Sequence, residues 1–292
     1  MIERMEAIPL NVLQRASAIT GRLVMTLFIE QIYLNSMEKE NTVNWELIIL
    51  ITRNNQLHLV ESIPLIEMVL TLHPGFSHRT FYISDVKKGL NFGNMVFFCL
   101  CQPDRLVYIN PRCTVCLFTP RCVLEKTFIK TRSDMEKERM KIESFRKGVW
   151  FYLAMENYSF CALMLHQLFE CCFRFAELVL AGKEKVSHNL RNHHRDLLRF
   201  LPGLKELFNQ SDQREMELVK RLDEAYLAVR YENDYVIGKE ELLWLIEKSA
   251  WLEDQVNFHT EMALLQFRER YDALEDVDGY DCSLYAGKEA IT

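Results

Sequence analysis

The sequence predicts a mostly α, α+β chain of two unlike halves, a small α/β domain followed by a bundle of four or five helices. Two observations predict it. Six of the seven prolines lie at or before Pro120 and none falls between Arg121 and Leu201, so the second half has a long stretch free of the residue that breaks helix interiors. The first half also alternates helix-period segments with short apolar runs of strand length, whereas the second carries helix-period segments alone. The bounds read from these shifts are an α/β domain over 1–125, a charged helical connector over 126–147, a bundle over 148–272 and a mobile tail over 273–292.

In order, "RLVMTLFIEQIYL" has helical periodicity and "WELIILIT" is a continuous apolar run that reads as a strand. "LVESIPLIEMVLTL" reads as a helix despite Pro64, and "RTFYIS" as a second strand. "VKKGLNFGNMVFFCLC" and "RLVYIN" continue the alternation of helix and strand. "TFIKTRSDMEKERMKIESFRK" mixes charges of both signs at helical spacing, the pattern of a solvated helix. "VWFYLAMENYSFCALMLHQLFECCFRFAELVLAG" is apolar on nearly every face up to Gly182, as a central bundle helix is, with a break at Asn157 and Tyr158. "SHNLRNHHRDLLRFL" then stops at Pro202, "REMELVKRLDEAYLAVRYEN" before Gly238, and "KEELLWLIEKSAWLEDQVNFHTEMALLQF" closes the set.

Length and composition fit a globular chain: 292 residues, 49% hydrophobic and 11% aromatic, supply material for real cores. With 35 basic against 41 acidic residues and a net charge of -6, no global positive field draws the chain to nucleic acid, so any such contact uses a local patch. The amino-terminal residues do not read as a signal peptide, and the longest uncharged stretches, such as Gly89 to Pro103, are too short to span a bilayer. The expectation is a cytoplasmic protein with no membrane partner, whose nine cysteines are reduced thiols.

"NYSFCALMLHQLFECCFRFAELVLAGKEKVSHNL", with "RLDEAYLAVRYENDY" further on, resembles the HEPN family (higher eukaryotes and prokaryotes nucleotide-binding) over about residues 145 to 260. The shared features are a long apolar helix carrying His-Gln and then Glu, a Gly-containing turn, a Ser-His-x-Leu lead-in to the next helix, and an Arg near the end of a later one. The resemblance implies a helical bundle that pairs as a homodimer and, in many members, a ribonuclease whose Arg is followed four to six residues on by His. Here Arg230 takes the Arg position, and Asp234, Tyr235 and Val236 stand where His would. The first half, over about residues 20 to 110, is similar to the later part of a nucleotidyltransferase-like domain. Working members use a Gly-Ser turn and an Asp-x-Asp pair to hold triphosphate and magnesium. No Gly-Ser occurs in this half, and its strand opens with Asn44-Trp45-Glu46, so a degenerate domain is implied.

Three groups of residues are candidates for chemistry. Arg230 and Asp234, at i and i+4, share a helix face, with Tyr235 beside them and Glu170 able to reach from the central helix; the group is either a phosphate-facing pocket or a packing ion pair under an aromatic lid. His188, Arg191, Arg195 and Arg199 line one helical face, as a phosphate-contacting stripe or a solvated one. Cys99, Cys101, Cys113, Cys116 and Cys122 are read as buried free thiols, with a structural zinc site as the alternative. His166 reads as a packed core histidine. The combined expectation is a nucleotide- or RNA-binding protein that holds rather than cuts, in a regulatory or toxin–antitoxin-like system, with no cofactor. The alternatives are a metal-independent ribonuclease and a protein-interaction scaffold.

Overall fold

The structure, a computed structural model, describes residues 8–39, 42–53, 58–117, 121–182, 185–198, 200–209, 211–231 and 235–273. It divides into two compact units, residues 1–124 and 125–292.

The first unit is built on a four-stranded mixed sheet in the order β3-β2-β1-β4. Helix α1 (Leu10–Thr26) leads into strand β1 (Ile29–Lys39), which pairs antiparallel with β2 (Thr42–Ile51) in a register that sets Asn35 opposite Glu46. Helix α2 (Leu59–Leu70) carries the chain across to β3 (Phe76–Tyr82), which runs parallel to β2. Helices α3 (Ile83–Asn91) and α4 (Met95–Leu100) follow, and β4 (Leu106–Ile109) closes the sheet antiparallel to β1.

One expected element is corrected. The helix expected over "RLVMTLFIEQIYL" begins at Leu10 and ends at Thr26, and "IEQIYL" opens β1. Ile29, Ile32 and Tyr33 fall at helical spacing, but β1 is an interior strand buried on both faces, and with the polar Gln31 and Asn35 buried as well the apolar–polar alternation of a half-exposed strand is lost. One face packs Ile32, Leu34, Leu47 and Ile49 with Ala16, Ile19 and Leu23 of α1 and Ile66 of α2. On the other, the Asn35 amide donates to the Leu100 carbonyl at 3.0 Å, and Phe81 meets Phe97 edge-on at 5.1 Å. The α3–α4 junction turns on Gly93, whose φ of 78° suits glycine, and Asn94 caps α4 by accepting from the Val96 and Phe97 amides.

The second unit is helical. Helix α5 (Arg121–Ala154) takes in the whole charged stretch read as a connector, and that stretch lies along α9. Arg139 reaches Asn257 at 3.1 Å, Arg146 pairs with Glu253 at 3.2 Å, and Phe128 stacks on Phe267. A break follows where the sequence placed it: Asn157 accepts from the Phe160 amide and starts α6 (Tyr158–Ala176). Helix α6 is central, packed against α7 (Leu190–Leu197), α8 (Gln213–Tyr231) and α9 (Lys239–Ala273). Its Phe169 and Phe173 are fully buried, and Phe169 tilts against Phe208 at 5.8 Å.

After a π turn at Glu177–Ala181, α6 ends at Gly182, whose φ of 73° is the left-handed cap that glycine adopts without penalty. The lead-in to α7 is then pinned by polar contacts. Buried Glu177 accepts from the Lys185 amide at 2.7 Å and from His193 Nδ1 at 2.8 Å, while His193 Nε2 lies 2.8 Å from the Ser187 carbonyl. Asn189 caps α7 by accepting from the Asn192 amide. No helix among the described residues is long and apolar enough to cross a membrane.

Candidate functional site

The pinned lead-in delivers His188 onto the surface where α6, α7 and α8 meet. On α6, His166, Glu170 and Arg174 recur every four residues and share a face; on α8, Asp223, Tyr226 and Arg230 follow at three and then four. His188 bridges the two. Its Nδ1 lies 3.1 and 3.2 Å from the two oxygens of buried Glu170, so this nitrogen carries the hydrogen and donates. Its Nε2 then accepts from the Tyr226 hydroxyl at 3.2 Å, and the two rings stack with centroids 4.2 Å apart. The Arg230 guanidinium sits over the same Tyr226 ring at 4.3 Å.

Beneath this exposed stack lies a buried polar layer. His166 is fully buried; its Nε2 donates to the His188 carbonyl at 2.9 Å, leaving Nδ1 to accept from the Gln167 amide at 3.2 Å. Burial lowers the His166 pKa to about 4, with neighbouring Arg230 adding to the effect, against the His188 carbonyl and Glu170. Asp223 accepts from the Leu190 amide at 2.7 Å, so α8 holds the first turn of α7, and its other oxygen is 3.5 Å from Arg191 Nε. Burial raises the Asp223 pKa against the pull of that amide and of Arg191. Arg174 approaches Glu170 at 3.6 Å. Buried carboxylates thus orient the outer cations and His188 from below, while 57% of the His188 side chain and 46% of that of Arg191 face solvent.

Of the residues that sequence reasoning selected, Glu170, His188, Arg191 and Arg230 come together here. Tyr235 does not join them: it is directed at the α8 backbone, its hydroxyl donating to the Arg221 carbonyl at 3.1 Å while its own carbonyl accepts from Ser159. Burial raises the Tyr235 phenol pKa, which suits a packing role. Arg195 contacts Asn192 and Asp196 on the exposed side of α7, away from Asp223. The expected stripe is also broken at its start, since His188 precedes the helix rather than lying on it. Asp234 and Arg199 lie outside the described residues. Tyr226 and Asp223 were missed, although Asp-x-x-Tyr-x-x-x-Arg at helical spacing signals them.

Chain comparison adds no family. No protein-family model and no curated protein matches this chain.

In the first unit Glu46 is buried and ion-paired to Arg79 at 2.5 Å, with both side chains nearly enclosed. The one carboxylate of Asn44-Trp45-Glu46 is therefore taken up by a guanidinium. Of the cysteines, Cys101 is buried and its thiol is pushed by burial up to about 12, Cys99 and Cys113 are half-buried, and Cys116 is exposed. Gln31 ties the segment down through the Val115 carbonyl at 2.9 Å and the Cys113 sulfur at 3.5 Å. The Cys122 side chain lies outside the described residues. Among the described residues no three His, Cys, Asp or Glu side chains gather as metal ligands do.

Proposed function

We propose that the chain is a HEPN-like protein that binds single-stranded RNA or a nucleotide at the surface of its helical unit, which follows in the sequence a nucleotidyltransferase-like unit that has lost its chemistry. The observation that carries this reading is the stack of His188, Tyr226 and Arg230 over buried Glu170. It offers an unstacked base a planar imidazole and guanidinium, and it offers the adjoining phosphate Arg230 and Arg191, forked donors held in place by packing. The buried ion pair of Glu46 with Arg79 fits a transferase-like unit without a divalent ion to clamp.

A second reading, a metal-independent ribonuclease, is favoured by one feature. A surface imidazole hydrogen-bonded at Nδ1 to a buried carboxylate has a second nitrogen that a substrate proton reaches once it displaces the Tyr226 hydroxyl. In this reading His188 is the acid–base group, which Arg230, Asp234 and Tyr235 alone do not supply.

Binding of a fluorescent single-stranded RNA to Arg230→Ala and His188→Ala, with melting temperatures measured in parallel, tests the first reading. Binding reduced at least about tenfold with folding retained supports it. Unchanged binding with a large fall in melting temperature makes the cluster a packing device. Cleavage by the purified protein that is lost in His188→Ala selects the ribonuclease.

A further inference from the structure

The lead-in to α7 is held by one buried side chain, and that side chain is charged. His193 is fully buried on α7, its ring stacked on that of Phe173 with centroids 6.2 Å apart. Its Nδ1 lies 2.8 Å from a Glu177 carboxylate oxygen and its Nε2 2.8 Å from the Ser187 carbonyl. Both oxygens are acceptors, and a neutral imidazole has a single N–H to donate. Two such bonds therefore need a hydrogen on each nitrogen, which makes His193 an imidazolium. Its surroundings fit that charge. Burial opposes it, but the Glu177 carboxylate, the Ser187 carbonyl and, further off, Glu170 on α6 outweigh burial and raise the pKa above its ordinary 6.5. From α8, Asp223 is near enough for its own carboxyl to respond to the charge.

The other oxygen of Glu177 accepts from the Lys185 amide at 2.7 Å, so the pair grips the segment 185–187 at both ends. Val186 between them is 99% exposed, and the segment rests on these polar contacts rather than on apolar packing. Removing the proton from His193 undoes half of the grip. The hydrogen that remains stays on Nδ1, facing the stronger, charged acceptor. Nε2 then turns a lone pair on the Ser187 carbonyl, which loses its donor in a place where water does not replace it. That carbonyl belongs to the peptide that joins Ser187 to His188, while the next carbonyl, that of His188, is held by His166. Loss of the bond therefore rotates the peptide from which the His188 side chain departs.

We infer that His193 is a positioning residue of the candidate site: as an imidazolium it ties the Ser187 carbonyl to Glu177 and so sets His188 between Glu170 and Tyr226, and when it loses its proton the site comes apart. The inference rests on the reading of that site as the one that binds RNA, and it adds the regulation of binding by pH. The site is assembled below the folded pKa of His193 and released as pH rises through it.

The test sets the wild-type full chain against Glu177→Gln, which has the same shape. In the variant the amide oxygen accepts from the Lys185 N–H and the amide nitrogen donates to Nδ1, so a neutral His193 keeps its hydrogen on Nε2 and the Ser187 carbonyl keeps its bond. Histidine ring signals are followed by NMR without RNA from about pH 6 to about pH 9, and binding of a fluorescent single-stranded RNA is measured in the same buffers. In wild type, His193 is expected to carry hydrogens on both nitrogens at the acid end, and the His188 signals to move at the midpoint where His193 loses one. RNA affinity is expected to fall at least about tenfold across that midpoint in wild type and to escape this loss in Glu177→Gln. Titration of His188 itself is common to both proteins and cancels in the comparison. A wild-type His193 that is neutral at the acid end, His188 signals that ignore its midpoint, or parallel affinity profiles would each overturn the inference. The wild-type signals need no substitution, so they decide the matter even where Glu177→Gln fails to fold. RNA that binds at no pH overturns the RNA reading alone, since the ring signals report the grip on His188 by themselves.

Discussion

Acid should weaken the helical unit through His166, and the size of the effect follows from its surroundings. The imidazole is fully buried, donates through Nε2 to the His188 carbonyl and accepts at Nδ1, so its neutral form is the one that packing and hydrogen bonds favour. Its pKa falls from 6.5 to about 4, chiefly through burial. In the unfolded chain the same imidazole takes up its proton as pH drops through 6.5, while the folded chain resists until about 4. The contribution to stability is therefore whole above the first value, drains away between the two and is level below the second. At about 1.4 kcal/mol per pH unit, that window corresponds to about 3 kcal/mol. Urea unfolding followed by circular dichroism, in steps from neutral pH to about pH 4, measures it when wild type is set against His166→Gln, whose amide can still donate to the His188 carbonyl. Carboxylates and the other histidines titrate in both proteins and cancel in the difference. The gap between the two stabilities should change by about 3 kcal/mol across the window, the variant being the less sensitive to acid. Parallel curves would refute the account of His166 as a buried neutral group.

Three other perturbations have expected outcomes. In Gly89→Ala the added methyl would meet the Phe97 ring at 2.5 Å, so the first unit should lose roughly 1–3 kcal/mol, read from its denaturation midpoint. Glu46→Ala removes the carboxylate paired with the nearly enclosed Arg79 guanidinium and should cost about 3–5 kcal/mol, whereas replacing both partners with apolar residues of similar volume should cost far less; equal losses would refute a buried ion pair. His193 runs opposite to His166: burial opposes its charge, but Glu177 and the Ser187 carbonyl prevail and raise its pKa. Its contribution is full below the unfolded value near 6.5 and is lost as pH rises through the folded one, so His193→Gln should destabilise most at mildly acid pH, as the same unfolding series would show.

The helical half was legible because its signals are local. Asn157, Gly182 and Pro202 punctuate helices where caps and turns require them, and α6 betrays its central place by being apolar on nearly every face. β1 was not legible as a strand, because no Gly or Pro separates Thr26 from Ile29 and an interior strand keeps no alternation to read. At the candidate site, Arg230 and Glu170 stood out as charges in apolar surroundings; the partner of Glu170, His188, comes from the lead-in to α7 and is set by the fold, whereas Tyr226 lies on the same helix as Arg230 and its spacing was there to be read. Spacing along one helix offered Asp234, which lies outside the described residues, as a partner for Arg230; the fold sets the guanidinium over Tyr226, four residues upstream. Tyr235 illustrates the converse. Four positions beyond the end of α8 it reads as part of the polar cluster, yet its hydroxyl is turned back to the Arg221 carbonyl.

The central claim is that the His188, Tyr226 and Arg230 stack is where nucleic acid sits. Ring resonances of the histidines, followed by NMR while a short single-stranded RNA is titrated into the protein, test it most directly. The account predicts that the His188 ring signals shift with a saturable dependence on RNA and that those of His194, buried behind Phe208 with its Nε2 on the Leu204 carbonyl, stay in place. RNA that binds while His188 remains unmoved would contradict it.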